Sequence, residues 1–263
     1  MYKRIISIIL VVVFILSFAS CDYSKDLIKE NPQDTIIGFV TDSVSELAAK
    51  SYAGDGAQLI GYNNLSDLLL AIENGYVNYG VLSDYEFVQA GNAERKVEVY
   101  EECPFKIDFC AYFRNDSTEL RDSFNDSLEN MKSKGIIDKI KEAEYNGITY
   151  YSSYTGNGET ELKVLCNPAA DFYFYMLEDG VYSGIDVKIL ETFAEENGYN
   201  ISYISDFDDD ELFLKLKNGE GDILISDYSY NSKRAEQYLV SDIYFTVNFN
   251  LVIRKSIWNN ALF

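Results

Sequence analysis

The chain reads as an α/β fold built on parallel sheets, and three observations point there. Short apolar strands alternate with amphipathic helices along most of its length, the pattern that builds parallel sheets. The plan is used twice. LSDLLLAIENGYVNYGVLSDY at 65–85 and DDELFLKLKNGEGDILISDY at 209–228 each run helix, Asn-Gly stop, buried strand and Ser-Asp-Tyr. Composition agrees: 47% hydrophobic and 25% charged residues is the usage of a folded globular body. The echo reads either as two similar α/β lobes facing one another or as a chance likeness of two βαβ units.

The elements follow in order. TIIGFVT at 35–41 is a short apolar strand. DSVSELAAKSYA opens a helix at Asp42 or Ser43, with Leu47 and Ala48 on its apolar face. AQLIGY at 57–62 is a strand. The helix from Leu65 stops at Asn74-Gly75, a helix-ending pair. YVNYGVLSDYE at 76–86 is a strand that breaks into a polar turn. KVEVYE at 96–101 and DFCAYFR at 108–114 are two further strands. Residues 118–145 are a long helical stretch interrupted at Gly135, and 146–160 is a polar, glycine-containing linker. In the second half, ELKVLC is a strand, 186–197 a helix ended by Gly198, and YNISYI a strand. DDDELFLKLKNGE is a helix with acids in its first turn, where the helix dipole favours them. GDILIS at 221–226 is a strand, and RAEQYLVSDIYF leads into a last strand, NFNLVIRK.

The first 20 residues have a separate job. Lys3 and Arg4 precede the uncharged apolar run IISIILVVVFILSF, which Ala19-Ser20-Cys21 closes. A basic start, an apolar run and small residues before a cut mark an export signal. The run is short for a span, which needs about 20 apolar residues. The cysteine at the cut resembles a bacterial lipobox, with Phe18 where Leu is usual. In such signals the cysteine is lipidated and becomes the new N-terminus, which makes Cys21 the lipidation residue. The other reading is an uncleaved N-terminal anchor helix; under either, the body lies outside the cytoplasm, on the membrane's outer face.

Charge and residue usage exclude several classes. A net charge of −21 repels nucleic-acid phosphates and anionic lipid, so no nucleic acid is expected and membrane attachment falls to the lipid on Cys21. With no histidine, Ser-His hydrolases and zinc enzymes recede, and no metal or cofactor is expected. Cys103, Cys110 and Cys166 contain no CxxC pair. Cys103 and Cys110 flank PFKIDF, as a disulfide or as two buried thiols.

Several segments resemble the bacterial extracellular solute-binding proteins of family 3, the amino-acid-binding partners of ABC importers. Residues 161–200 look like the opening of that family's first lobe, with Gly184-Ile185-Asp186 where the family has Gly-Phe-Asp. GDILISDYSYNSKRAEQYLVSDIYF resembles its Ser-Ile-Thr-x-x-Arg segment and the Ser-Asp-Pro-Tyr-Tyr type turn after it. Residues 26–50 resemble the entry to the second lobe, and AYFRNDSTELRDSFNDSLENMKSKGIIDKI its returning strand and final helix. The resemblance implies a two-lobed, type 2 periplasmic-binding-protein-like fold. The lobe order is altered: 21–145 is a second-lobe-like half plus the returning helix, 146–160 the linker, and 161–263 the first-lobe-like half. The chain is read as a circular permutant that rebuilds one receptor, with two halves of a tandem pair as the other origin. Termini of such a fold lie close together, where permutation is tolerated.

The resemblance also implies a site. Arg234 aligns with the arginine that grips a ligand α-carboxylate, and a guanidinium offers the matching planar fork. Ser229 matches the serine beside it, and Asn231 stands in place of a threonine. Ser43, at a helix start, offers its hydroxyl and helix amides; Val44 stands where a second hydroxyl residue is common. Asp84, Ser83 or Asp227 is the acid or polar partner for an α-ammonium, and Tyr173 or Phe172 stacks on the side chain. Ala169, Ala170 and Asp171 replace the family's Tyr-Pro-Pro. The expected function is therefore an extracytoplasmic solute-binding lipoprotein of an ABC importer, bound to its permease and to an amino acid. A sensory ectodomain and a degenerate, non-binding lipoprotein are the alternatives. An enzyme is not expected, because the candidate site shows no acid/base pair beyond its aspartates.

Overall fold

Three consecutive buried residues at the centre of Ile36–Val40 (β1) mark it as an inner strand, parallel to Gln58–Tyr62 (β2) and to Tyr79–Ser83 (β3). The computed structural model describes residues 35–255, apart from 42, 54, 55, 149, 152, 171, 172 and 179. Helix α1 (Val44–Ala53) follows β1, and α2 (Leu65–Asn74) follows β2. Gly38 and Gly80 are register partners and both face α2. A Cβ on Gly38 would stand 2.6 Å from Leu68 Cδ1, and one on Gly80 2.3 Å from Ile72 Cδ1, so the two glycines set how closely the helix packs. Asn64 caps α2, accepting from the Asp67 N–H at 2.9 Å, and Gly75 ends it at φ 74°.

Two elements of the first half depart from the sequence reading. The segment after β3 is a nine-residue helix, α3 (Asp84–Asn92), where a polar turn was expected. Its start is a capping box: the Glu86 N–H donates to Ser83 Oγ at 3.2 Å, and Glu86 Oε2 accepts from the Ser83 N–H at 2.7 Å. The two strands expected around Pro104 are instead one 13-residue strand, β4 (Val97–Phe109), followed by a short β5 (Tyr112–Phe113). Pro104 is tolerated because β4 is an edge strand, where a missing N–H need not break a ladder. Helices α4 (Thr118–Ser133) and α5 (Ile136–Tyr145) meet at Gly135, φ 64°, as its spacing suggested.

Strand β6 (Thr160–Cys166) pairs along its whole length with β10 (Tyr199–Ser205). Between them in sequence lie three short strands, β7 (Ala169–Ala170), β8 (Phe174–Met176) and β9 (Tyr182–Ser183), which form a small antiparallel sheet. Helix α6 (Ile185–Asn197) precedes β10. Helix α7 (Asp209–Lys217) follows it, capped by Asp208 and opened by three acids. The strand expected at 221–226 is shorter, β11 (Ile223–Leu224). Then come α8 (Ser232–Ala235), β12 (Leu239–Val240) and β13 (Phe245–Arg254).

The two main sheets have orders β2-β1-β3-β13-β4 and β10-β6-β11-β5-β12. Each therefore takes one strand from the other half of the sequence. β5 lies antiparallel between β11 and β12, Leu224 opposite Tyr112 and Val240 opposite Tyr112. The described chain forms two units. One contains Glu94–Pro104 and the segments ending at Leu82 and beginning at Asn250; the other contains Ser83–Ala93 and Phe105–Phe249. The second carries a core of Tyr112, Leu165, Leu212, Phe213, Leu216, Leu224, Tyr228 and Tyr238. Burying each such side chain contributes about 1.5–3 kcal/mol. Among the described residues, no helix is long and apolar enough to cross a membrane.

Candidate functional site

In open α/β sheets, ligand groups collect beyond the carboxyl ends of the parallel strands. In the second unit that position is held by the loop from Ser226 to Arg234, directly after β11. Ser226 is fully buried and its hydroxyl donates to the Asn167 carbonyl, beyond β6, at 2.6 Å. Asp227 sits at φ 47°, in the left-handed region, and its N–H donates to Asp186 Oδ2 at 2.7 Å. The Tyr228 hydroxyl donates to Asp209 Oδ1 at 2.8 Å, and the Tyr228 carbonyl accepts from the Cys110 N–H at 3.0 Å.

Tyr112, from β5, ties the next part of the loop. Its hydroxyl donates to the Ser229 carbonyl at 2.9 Å and accepts from the Asn231 N–H at 3.1 Å. Asn231 in turn caps α8, its Oδ1 accepting from the N–H groups of Lys233 at 2.9 Å and Arg234 at 3.2 Å. Arg234 is half-buried. Its guanidinium carbon lies 4.2 Å from the centre of the Phe213 ring and 5.7 Å from that of Tyr228. Phe213 also packs edge-to-face on Tyr112, their centres 5.2 Å apart. Among the described residues no carboxylate pairs with this guanidinium. Stacking restrains the plane of the group while its N–H donors stay able to take a planar oxyanion.

The structure thus gathers Ser229, Asn231, Asp227 and Arg234 on one loop. Other candidates are engaged elsewhere. Asp84, at the start of α3, pairs with Lys141 and accepts from the Tyr145 hydroxyl at 2.9 Å. Ser83 is the cap of α3. Ser43 belongs to the first unit, where its hydroxyl donates to the Val40 carbonyl at 2.7 Å. Tyr173 is buried in an aromatic cluster, edge-to-face on Phe109 at 4.9 Å and on Phe245 at 5.5 Å. Phe172 and Cys21 lie outside the described residues. Cys103, Cys110 and Cys166 are free, buried thiols, and burial pushes them up to about 12, 11 and 12.

Sequence reasoning missed Tyr112, Phe213, Asp209 and Asp186. Asp186, in the first turn of α6, is fully buried. Burial, and secondarily the Asp227 charge, raise its carboxyl to about 8 against the lowering effect of the Asp227 N–H. The Tyr244 hydroxyl lies beside it and lowers it slightly.

The profile of one protein family matches residues 162–259, and so includes the whole loop together with Arg234, Phe213 and Asp186. This segment belongs to the bacterial extracellular solute-binding proteins, family 3. The family 3 segment has known relatives. Over 105 residues the chain is 29% identical to the arginine-binding extracellular protein ArtP of Bacillus subtilis, covering 40% of this chain and 41% of that one. Over 106 residues it is 28% identical to membrane-bound lytic murein transglycosylase F of Vibrio cholerae, covering 40% of this chain and 19% of that one. The chain therefore spans less than half the length of these relatives. Among solved structures, a phosphate-binding protein of a phosphate ABC transporter from Streptococcus pneumoniae is 12% identical, covers 84% of this chain and 88% of that one, and has a TM-score of 0.45. An ancestral cationic amino acid solute-binding protein is 12% identical, covers 84% and 82%, and has a TM-score of 0.42.

Proposed function

We propose that the chain is an extracytoplasmic solute-binding lipoprotein, serving an ABC-type importer, that holds the carboxylate of an amino acid on Arg234. The observation that carries this reading is the Arg234 guanidinium, stacked on Phe213 at 4.2 Å and without a carboxylate partner among the described residues. A half-buried cation without a counter-charge is poised for an anion, and losing one partner of such a pair costs on the order of 2–5 kcal/mol. Ser229 and Asn231 flank it, and Asp227 is the candidate for the α-ammonium. The family match and the arginine-binding relative favour an amino acid over other carboxylates. The permuted lobe order belongs to the same reading, supported by the presence of β5 in the second sheet and β13 in the first.

The first test is thermal unfolding against a panel of the protein amino acids. A hundredfold excess over Kd raises stability by about 2.7 kcal/mol. With the amino acid that shifts the transition, Arg234→Ala is expected to weaken binding at least tenfold while the melting temperature without ligand changes little. Arg234→Lys is expected to recover part of it, since an ammonium cannot present paired donors. Equal affinity in wild type and Arg234→Ala, measured by calorimetry, sinks the assignment. Lipidation is tested separately: Cys21→Ala should release the protein from membranes or block its processing, and unchanged attachment refutes it.

A further inference from the structure

Asp186 is the one carboxylate among the fully buried polar residues described. Its Oδ2 accepts the Asp227 N–H, while its Oδ1 has no hydrogen-bond partner and is buried. The Tyr244 hydroxyl, buried beside the same carboxyl, interacts with it electrostatically but makes no hydrogen bond of good geometry with it. A half-satisfied buried carboxyl weakens a core, so the group is not explained by packing. What it does hold is specific. Asp227 is one of two described non-glycine residues with positive φ, a conformation that an L residue keeps only when its surroundings impose it.

The residues that follow Asp227 are tied to another segment of the same unit. Tyr228, Ser229, Tyr230 and Asn231 are each bonded to the 108–112 segment, Tyr230 through its N–H to the Asp108 carbonyl at 2.9 Å. Asn231 then caps the turn that carries Arg234. Asp186 itself is anchored: its N–H donates to the Tyr173 carbonyl at 2.9 Å, and it lies in the first turn of the 13-residue α6.

We propose that Asp186 is the positioning residue of the Ser226–Arg234 loop, its carboxyl holding the Asp227 peptide in the left-handed region and so setting where Arg234 stands. This deepens the solute-binding reading and rests on it for the role of Arg234. Ligand contact is not required of Asp186. The amide of Asn can replace the carboxyl, because its oxygen accepts the same N–H and its NH2 can donate to Tyr244.

The test uses the full mature chain and two readouts. Amide exchange at Asp227, followed by NMR without any ligand, reads the tether. The thermal shift produced by a pooled mixture of the protein amino acids reads binding. Asp186→Asn is expected to keep Asp227 protected and the shift intact. Asp186→Leu, which keeps the branched heavy-atom skeleton but removes the acceptor, is expected to speed Asp227 exchange at least tenfold and to abolish the shift, with β6 and α6 amides still protected. Where Asp186→Leu does not fold, the wild type supplies the answer. The Asp227 amide resonance should follow the titration of the Asp186 carboxyl, and that movement should vanish in Asp186→Asn. The other ionisable groups facing that carboxyl are Asp227 and Tyr244, with Cys110 near the tyrosine. Unchanged Asp227 exchange in Asp186→Leu, or an amide indifferent to the titration, overturns the proposal. A wild type silent to the pool overturns the binding reading instead, and the exchange data alone then decide the tether.

Discussion

Arg234 and Asp186 show how one residue's surroundings define its chemistry. Arg234 is stacked on aromatic faces, so its charge is partly desolvated and its plane restrained. Asp186 has the opposite problem: burial penalises its charged form and raises it from the usual carboxylate range to about 8. The sign of its effect on stability follows from proton counting. The folded chain keeps a proton on Asp186 that the unfolded chain releases near pH 4, so folding binds a proton across the window from about 4 to about 8. This contribution is fully present at low pH and is lost as pH rises through that window. The melting temperature of the wild type relative to Asp186→Asn should therefore fall between pH 5 and pH 8. A constant gap across that range would show that Asp186 is ionised in the folded protein as it is in solution.

Local sequence decides most elements, and α3 is the instructive one. Ser83 and Glu86 form a reciprocal cap, and α3 then presents Ala90 to the core. Ser83→Ala removes the side-chain acceptor for the Glu86 N–H and should cost about 1 kcal/mol, read as a lower denaturation midpoint with an unchanged slope. No change in midpoint would mean that tertiary contacts, such as the Asp84–Lys141 pair and Gln89 donating to the Tyr145 carbonyl at 2.6 Å, hold the helix without its cap.

At the scale of the whole molecule, chain order and sheet order separate. The second unit draws on residues 83–93 and 105–249, and its sheet is incomplete without β5. Tyr112 and Phe113 are fully buried, and Phe113 leads through Phe124, 5.7 Å away, to Phe193, a further 5.1 Å. A fragment beginning at Glu161 lacks Tyr112, Phe113 and Phe124, so Phe193 loses its ring partner Phe124, and β11 and β12 are left without the strand between them. It should show no cooperative thermal transition by circular dichroism, whereas the mature chain should. Cooperative unfolding of the fragment would favour an origin as two independent halves over a permuted receptor.

The sequence by itself determined the elements whose signals are local. Asn-Gly marked the end of α2, and Gly75 and Gly219 do adopt φ 74° and 77°. Gly135 divided α4 from α5, and the acids before Leu212 opened α7. The capping box of α3 was equally local, Ser-x-x-Glu at 83–86, and was legible though passed over. That one strand runs through Pro104 was not legible, because a proline is tolerated there only at a sheet edge, which no neighbouring residue reveals. Arg234, Ser229, Asn231 and Asp227 stand on one loop after β11, and as candidates they were nameable from the sequence because they follow one strand within a few residues of each other. Tyr112 and Asp186 were not. The Tyr112 hydroxyl bonds residues 117 and 119 positions away, and Asp186 bonds one 41 positions away. Within its own segment each looks like an ordinary strand aromatic or helix-start acid. Only the tertiary structure decided their roles, because the free energy of a buried hydrogen bond depends on a partner and a dielectric that distant parts of the chain supply.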